Sequence, residues 1–105
     1  MLHKNEDGSF MSPEQIRDFV ILHMNDVERD WFQKCTRESL SNLHFTYGET
    51  IRKDFGLFDG NNPHTNPHAS INPETGKRED PLYPDNLSHT ILESIWDKIH
   101  EEDHS

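Results

Sequence analysis

The spacing of apolar residues predicts an amphipathic helix across the centre of the chain. Four apolar side chains recur at i, i+3, i+7 and i+11 and so line one helix face: Leu40, Leu43, Tyr47 and Ile51. Thr36 is the predicted N-cap. Gly56, followed by apolar Leu57, is typical of a Schellman ending, in which a left-handed glycine closes the helix.

Start signals predict three further helices. Ser12-Pro13-Glu14-Gln15 places a capping serine before a proline and a glutamine. Asn25 or Asp26 begins a short second helix that carries three apolar residues, Val27, Trp31 and Phe32. Asp85 is the predicted N-cap of the last helix, with Ser88 at N3. Its apolar residues recur every fourth position and should dock on the central helix: Leu87, Ile91, Ile95 and Ile99.

The segment 61–84 differs from its surroundings, because it holds five of the six prolines. This composition predicts a long ordered loop rather than a helix. Within it, Asn72-Pro73-Glu74-Thr75-Gly76-Lys77 suits a type I turn followed by a left-handed residue. The turn predicts a small hairpin, in which residues 69–71 pair with residues 78–80.

These elements predict a mainly α fold, a compact bundle of about four helices with a long Asn/Pro-rich loop carrying a short β-hairpin. Leu, Ile, Val and Phe make up 23 of 105 residues, about 22%, just above the roughly 20% below which charged chains tend to disorder. We therefore expect one helical domain over residues 12–100. A flexible arm over residues 1–11 should precede it, and a disordered acidic tail over residues 101–105 should follow.

The formal net charge of −10 disfavours direct nucleic-acid binding, because few cations are present to neutralise phosphates. It fits a solvated surface, a protein partner with a basic face, or mimicry of nucleic-acid charge. Cys35 is the single cysteine, so no internal disulfide can form and a buried inert thiol is expected. The absence of a long apolar run or a signal-peptide pattern predicts a cytoplasmic chain without a membrane segment.

A set of ordered motifs runs from residue 44 to residue 96: His44-Phe45, Gly48, Ile51-Arg52, Gly56-Leu57-Phe58, Gly60, Pro84-Asp85, Ser88, Ile91, Ile95 and Trp96. In this pattern the chain resembles a small uncharacterised domain family of bacteria and their phages. The resemblance implies a compact helical domain of the cytoplasm (the host's, if phage-encoded) and no established activity. This chain departs from the family pattern at four positions: Lys53, Phe58, Tyr83 and Asn86. The changes at 83 and 86 remove side chains that could serve chemistry.

One group of residues could form a site where the central and last helices meet: His44, Gly48, Arg52, Asp85 and Ser88. They could bind an anion or phosphate, with Arg52 as a clamp and a helix N-terminus contributing its dipole. Alternatively they form a structural junction, in which Asp85 caps its helix and Arg52 or His44 satisfies buried acceptors. Such junctions are commoner than active sites, so the second interpretation is favoured.

Other chemistry receives little support from the sequence. His64 and His68 are separated by proline, and His100 and His104 lie at a helix end, so we expect no metal site and no cofactor. No nucleophile motif is present, and Asp54 and Asp59 suit turn positions better than an acid–base pair. The sequence assigns no catalytic residue and favours a non-enzyme without excluding an enzyme.

The leading hypothesis is therefore a small acidic protein-interaction domain, plausibly a phage- or prophage-borne modulator of a host protein. Long ordered loops are often functional, so its contact residues are sought in the loop 61–84: Asn62, His64, Asn66, His68, Lys77, Arg78 and Tyr83. Four aromatic residues are expected in or near the core: Trp31, Phe55, Phe58 and Trp96. The alternative for these residues is that some of them stay exposed beside acidic residues and anchor an interface. The alternative is a small-molecule or nucleotide-binding domain, or a hydrolase, using His44, Arg52 and Asp85. The sequence leaves the oligomeric state open.

Overall fold

A computed structural model describes residues 2–103 of the chain, with side chains through Glu102. It consists of four α-helices and one 3₁₀ helix: α1 (Pro13–His23), α2 (Asp26–Lys34), the 3₁₀ helix (Glu38–Leu43), α3 (Tyr47–Asp54) and α4 (Pro84–Asp103). The prediction of a mainly α bundle is confirmed.

The first two helices begin at reciprocal side-chain caps. The Gln15 backbone N–H donates to Ser12 Oγ at 3.2 Å, and the Ser12 N–H donates to Gln15 Oε1 at 2.9 Å. At α2 the Glu28 N–H donates to Asn25 Oδ1 at 2.8 Å, so the cap is Asn25 rather than Asp26. Both boundaries follow from local chemistry that the sequence displays.

The predicted central helix is broken in two. The 3₁₀ helix ends at Leu43 and α3 begins at Tyr47, with Thr46 between them at φ −115° and ψ −90°. Short polar side chains in this stretch bond to local backbone carbonyls, as Ser41 Oγ does to Glu38 O and Thr46 Oγ1 to Leu43 O. Such bonds give the backbone an alternative to a regular helix. The prediction of one continuous helix is wrong here.

The end of α3 follows the prediction. Gly56 has a φ of 65°, and the Leu57 N–H donates to Arg52 O at 3.0 Å. This is the long bond of a Schellman ending, and it requires the left-handed glycine.

Helix α4 is the element on which the rest of the bundle packs, since α1, α2, α3 and the 3₁₀ helix all contact it. Its predicted apolar face is buried, together with one further leucine: Leu87, Ile91, Leu92, Ile95 and Ile99. The helix begins at Pro84, and the Leu87 N–H donates to Tyr83 O at 2.8 Å. Asp85 therefore lies within the first turn, and its prediction as N-cap is wrong.

Residues 2–11 and 101–103 make contacts with the helical bundle. The His3 N–H donates to Asp54 O at 2.7 Å, and the His3 ring lies 4.8 Å from that of Phe19, so the arm lies against α1 and α3. Residues 101–103 of the predicted tail continue α4, where Glu102 pairs with Arg29 at 3.0 Å. Residues 104–105, including the candidate ligand His104, lie outside the described residues.

The predicted hairpin is reduced to a single pairing. Within residues 2–103 the β structure consists of one antiparallel bridge between Asn72 and Lys77. The turn has the predicted form, with Gly76 at φ 69° and its N–H donating to Asn72 O. Residues 69–71 and 78–80 do not form a ladder, and the Arg78 side chain instead donates to Ala69 O at 3.1 Å.

The predicted aromatic core divides into two groups. Phe55 is buried, and Trp96 is half-buried with its Nε1 donating to Cys35 O at 3.0 Å. Trp31 and Phe58 remain 40% and 52% exposed, which agrees with the exposed alternative rather than with a place in the core. The thiol of Cys35, predicted buried, is partly exposed and lies 3.6 Å from Phe32 O.

Candidate functional site

The buried side chain of Arg52 joins three parts of the bundle. Its Nη1 donates to Ser88 Oγ on α4 at 2.9 Å, and its Nη2 donates to His44 O after the 3₁₀ helix, also at 2.9 Å. Only 7% of the residue is exposed. Because both guanidinium nitrogens bind groups of the protein itself, Arg52 chiefly fixes how α3, α4 and the preceding turn meet.

Gly48 makes this arrangement possible. A Cβ at this position would lie 3.1 Å from Arg52 Nη1 and 3.2 Å from Leu43 O. The guanidinium thus folds back along α3 into space that any other residue would fill.

Asp85 belongs to the same junction but is less tightly held. Its carboxylate oxygens lie 3.6 Å from Arg52 Nε and 3.8 Å from His44 Nε2. Both distances exceed those of a hydrogen bond, and the Asp85 side chain is 41% exposed. The structure therefore brings together the predicted junction residues, and it leaves this carboxylate with free acceptor capacity.

An open concavity of about 370 Å³ lies beside the junction. Its lining combines charged and aromatic residues: His44, Phe45, Glu49, Arg52, Lys53, Phe58 and Asp85. The two cations are matched by anions, because Lys53 Nζ lies 2.9 Å from Glu49 Oε1 and Arg52 lies near Asp85. The hydrogen bond from Lys53 holds the pKa of Glu49 below its ordinary value. With its charges balanced, the concavity offers little uncompensated positive charge to a phosphate.

Several residues of the candidate interaction loop serve to hold the loop together. Asn62 is buried and its Nδ2 donates to Gly56 O at 3.1 Å. Asn66 Nδ2 donates to Asp80 Oδ2 at 3.0 Å, and the Arg78 guanidinium lies 5.3 Å from the centre of the Tyr83 ring. His64 is half-buried, whereas His68 and Lys77 are exposed. The loop is thus an ordered element with internal bonds. Of its predicted contact residues, Asn62 is buried, whereas His68, Lys77 and Arg78 are exposed to solvent.

An apolar groove, which the sequence did not predict, lies between α2 and the 3₁₀–α3 segment. It encloses about 260 Å³, and its lining is almost wholly apolar: Val27, Glu28, Trp31, Phe32, Leu43 and Tyr47. Val27 is 79% exposed and Trp31 40% exposed. The sequence held one indication of this surface, because Val27 and Trp31 are four residues apart and so share a helix face. In the structure α2 buries only Phe32, so that face stays open.

A hydrogen bond fixes the polar edge of this groove. Tyr47 Oη donates to Glu28 Oε2 at 2.9 Å, linking α3 to α2. Burial of the ring, together with the Glu28 carboxylate, raises the pKa of Tyr47 above its ordinary value. The Tyr47 ring also meets Phe32 edge to face, with centroids 5.7 Å apart. The groove therefore joins buried Phe32 and the hydrogen-bonded Tyr47 to the exposed side chains of Val27 and Trp31.

Metal and membrane chemistry receive no support from the described part of the chain. Between residues 2 and 103, no group of three or more His, Cys, Asp or Glu side chains gathers closely enough to hold a metal ion. None of the helices in this range combines the length and apolarity that crossing a bilayer requires.

Comparison of the chain with family models, with curated proteins and with solved structures finds no match. The resemblance to the phage and bacterial domain family therefore stays a prediction based on the quoted motifs.

Proposed function

We propose that this chain is a non-enzymatic protein-interaction domain that holds apolar side chains of a basic, amphipathic partner segment in the α2–α3 groove. The observation that carries the proposal is the groove itself, an apolar surface open to solvent on a chain of net charge −10. An exposed apolar groove with a polar surround is characteristic of a docking site.

The size and lining of the groove favour a side chain of another protein over a metabolite. Small-molecule sites usually enclose about 300–1,000 Å³ and contain several convergent polar groups. This groove encloses about 260 Å³, and the polar groups of Glu28 and Tyr47 bond to each other. Tryptophan is among the residues most often found at the energetic centre of interfaces, and Trp31 lies on the rim.

Charge indicates which kind of segment fits. Helix α2 carries three acidic residues: Glu28 lines the groove, and Asp26 and Asp30 are adjacent in sequence to the groove residues Val27 and Trp31. Asp30 is bridged by Lys34 at 3.1 Å on the exposed surface, where such pairs are weak. A segment with lysine or arginine beside its apolar anchors would meet complementary charge, which speeds association and excludes acidic competitors.

The resemblance supplies a biological setting for this proposal. A domain of phage or prophage origin that binds a host protein would act as a modulator in the host cytoplasm. The acidic surface supports a partner with a basic face and disfavours direct contact with nucleic acid.

The alternative, an anion-binding or hydrolytic domain using His44, Arg52 and Asp85, is supported only by the neighbouring concavity. Its charges are balanced, and Arg52 is committed to Ser88 and to the His44 carbonyl. Inorganic phosphate should therefore produce no change in the unfolding midpoint.

The docking proposal can be tested with a defined probe, an amphipathic leucine–lysine helical peptide, followed by NMR. The peptide should shift the resonances of Val27, Trp31 and Tyr47, and Val27→Asp should weaken its binding by about tenfold through loss of an apolar contact. Leu82→Asp is a matched control, because Leu82 is 45% exposed in the loop and does not line the groove.

Two results of these titrations would contradict the proposal. Equal binding by wild type and Val27→Asp, or shifts confined to other surfaces, would refute docking in the groove. A leucine–glutamate peptide that binds as well as the leucine–lysine peptide would refute the role given to charge.

A further inference from the structure

We infer that the concavity beside the junction is a second contact point, which takes the guanidinium group of an arginine side chain from the partner. Asp85 would bind the guanidinium, with Phe45 and Phe58 contacting its faces. The inference relies on the proposed function only for the existence of a basic protein partner. It concerns different residues from the groove.

The Asp85 carboxylate accepts no hydrogen bond from the cations nearest to it. Its two oxygens lie 3.6 and 3.8 Å from the nearest cationic nitrogens, beyond the distance of a hydrogen bond. Arg52 cannot come closer without giving up its bonds to Ser88 and to His44 O. Asp85 therefore lies half-exposed in the concavity and can accept hydrogen bonds from an incoming donor.

Two exposed phenylalanines line the concavity beside Asp85. Phe45 is 81% exposed and Phe58 52% exposed, although both are large apolar residues, and both line the same concavity. Each meets a neighbouring ring edge to face, Phe45 with His44 at 4.8 Å and Phe58 with Tyr83 at 6.3 Å. These contacts orient the phenylalanine rings while leaving much of their surface open to solvent.

Guanidinium is the group that this combination fits best. It is planar and weakly hydrated, it stacks on aromatic faces, and it binds a carboxylate through two parallel hydrogen bonds. An ammonium group lacks the planar fork. An anion would meet the carboxylates of Asp85 and Glu49, while Lys53 is already paired with Glu49 at 2.9 Å.

The concavity and the groove are lined by neighbouring residues of the chain. Leu43 at the end of the 3₁₀ helix and Tyr47 at the start of α3 line the groove, and His44 and Phe45 in the turn between them line the concavity. A single partner segment that crosses this turn can place an apolar side chain on one side and an arginine on the other.

The test uses three small probes in NMR titrations of the full chain: N-acetyl-arginine amide, N-acetyl-lysine amide and N-acetyl-citrulline amide. Citrulline keeps the shape of arginine but carries no charge. The arginine probe should shift the resonances of Phe45, Phe58 and Asp85, the lysine probe should bind more weakly, and the citrulline probe should have no effect. Equal responses to arginine and lysine, or none to arginine, would overturn the inference.

Two substitutions sharpen this test. Asp85→Asn should weaken arginine binding by about tenfold, the order expected for a lost charge-assisted hydrogen bond. Because that change also touches the junction, its unfolding midpoint is measured in parallel. Phe45→Ala alters an exposed residue and should weaken binding by about threefold. Unchanged arginine binding by Phe45→Ala would overturn the role of the aromatic rings.

The Val27→Asp variant separates this inference from the groove proposal. It should bind the leucine–lysine peptide about tenfold more weakly and still respond fully to the arginine probe. Peptide binding without any arginine response would overturn the guanidinium contact alone. An arginine response without peptide binding would overturn the groove alone.

Discussion

Replacing Arg52 with alanine should lower the free energy of unfolding by about 3 kcal/mol, although the residue carries a charge and lies beside an open concavity. The side chain makes two charge-assisted hydrogen bonds, to Ser88 Oγ and to His44 O. Each such bond contributes about 1.5–3 kcal/mol when its partner would otherwise be left unsatisfied.

That range must be reduced here. Ser88 Oγ keeps its own bond to Asp85 O at 2.9 Å, and His44 O is only partly buried, so water can replace the lost donor. We therefore assign about 1 kcal/mol to each bond and about 0.8 kcal/mol to each of two buried methylene groups. The substitution also removes a buried charge, whose desolvation destabilises the wild-type fold. Subtracting this effect leaves a net loss of about 3 kcal/mol.

Urea denaturation followed by circular dichroism measures this loss, which is a large fraction of the roughly 5–15 kcal/mol total typical of such domains. Lys53→Ala is the matched control, because Lys53 is the next residue, carries the same charge and is 73% exposed. It should change stability little. Arg52→Lys should fall between the two, since an ammonium group cannot reproduce the planar fork. An Arg52→Ala variant within roughly 0.5 kcal/mol of wild type would refute the structural role of this side chain.

Two further predictions concern the neighbours of Arg52. Gly48→Ala should destabilise the chain by about 1 kcal/mol in the same denaturation assay, because strain of about 1–3 kcal/mol outweighs a helix-propensity gain of about 1 kcal/mol. The strain arises because the new Cβ would lie 3.1 Å from a firmly held Nη1 and 3.2 Å from Leu43 O, and a stabilised variant would contradict this. The pKa of Tyr47 is higher in the folded state than in the unfolded state. The protonated hydroxyl therefore stabilises the fold at neutral pH, and this stabilisation is lost as the pH rises above about 10. Denaturation from pH 7 upward should show wild type losing stability relative to Tyr47→Phe above about pH 10, and a difference independent of pH would contradict the reasoning.

The parts of the fold that the sequence predicts are those that depend on neighbouring residues. The caps at Ser12 and Asn25 and the left-handed turn at Gly56 all involve groups within a few positions of one another. The buried face of α4 follows from its regular repeat of isoleucine. The grouping of Arg52, Ser88 and Asp85 was also predicted from helix spacing, although the cap assigned to Asp85 was wrong.

The features that the sequence did not predict depend on tertiary packing. An i, i+4 pair such as Val27 and Trp31 indicates a helix face but does not say whether another element covers it. Helix α2 has nine residues and buries only Phe32, so its second apolar face stays open. Similarly, Phe58 is separated from buried Phe55 by two residues, and only the course of the chain after Gly56 determines which ring is enclosed.

The break in the central helix links the structural and the functional proposals. In an unbroken α-helix, the His44 carbonyl would accept from the N–H four residues later, at Gly48. With the 3₁₀ helix ended at Leu43, that carbonyl instead accepts from Arg52 Nη2. The same turn places Leu43 on the groove and Phe45 on the concavity. The buried arginine therefore stabilises the irregular turn on which both proposed contact surfaces depend.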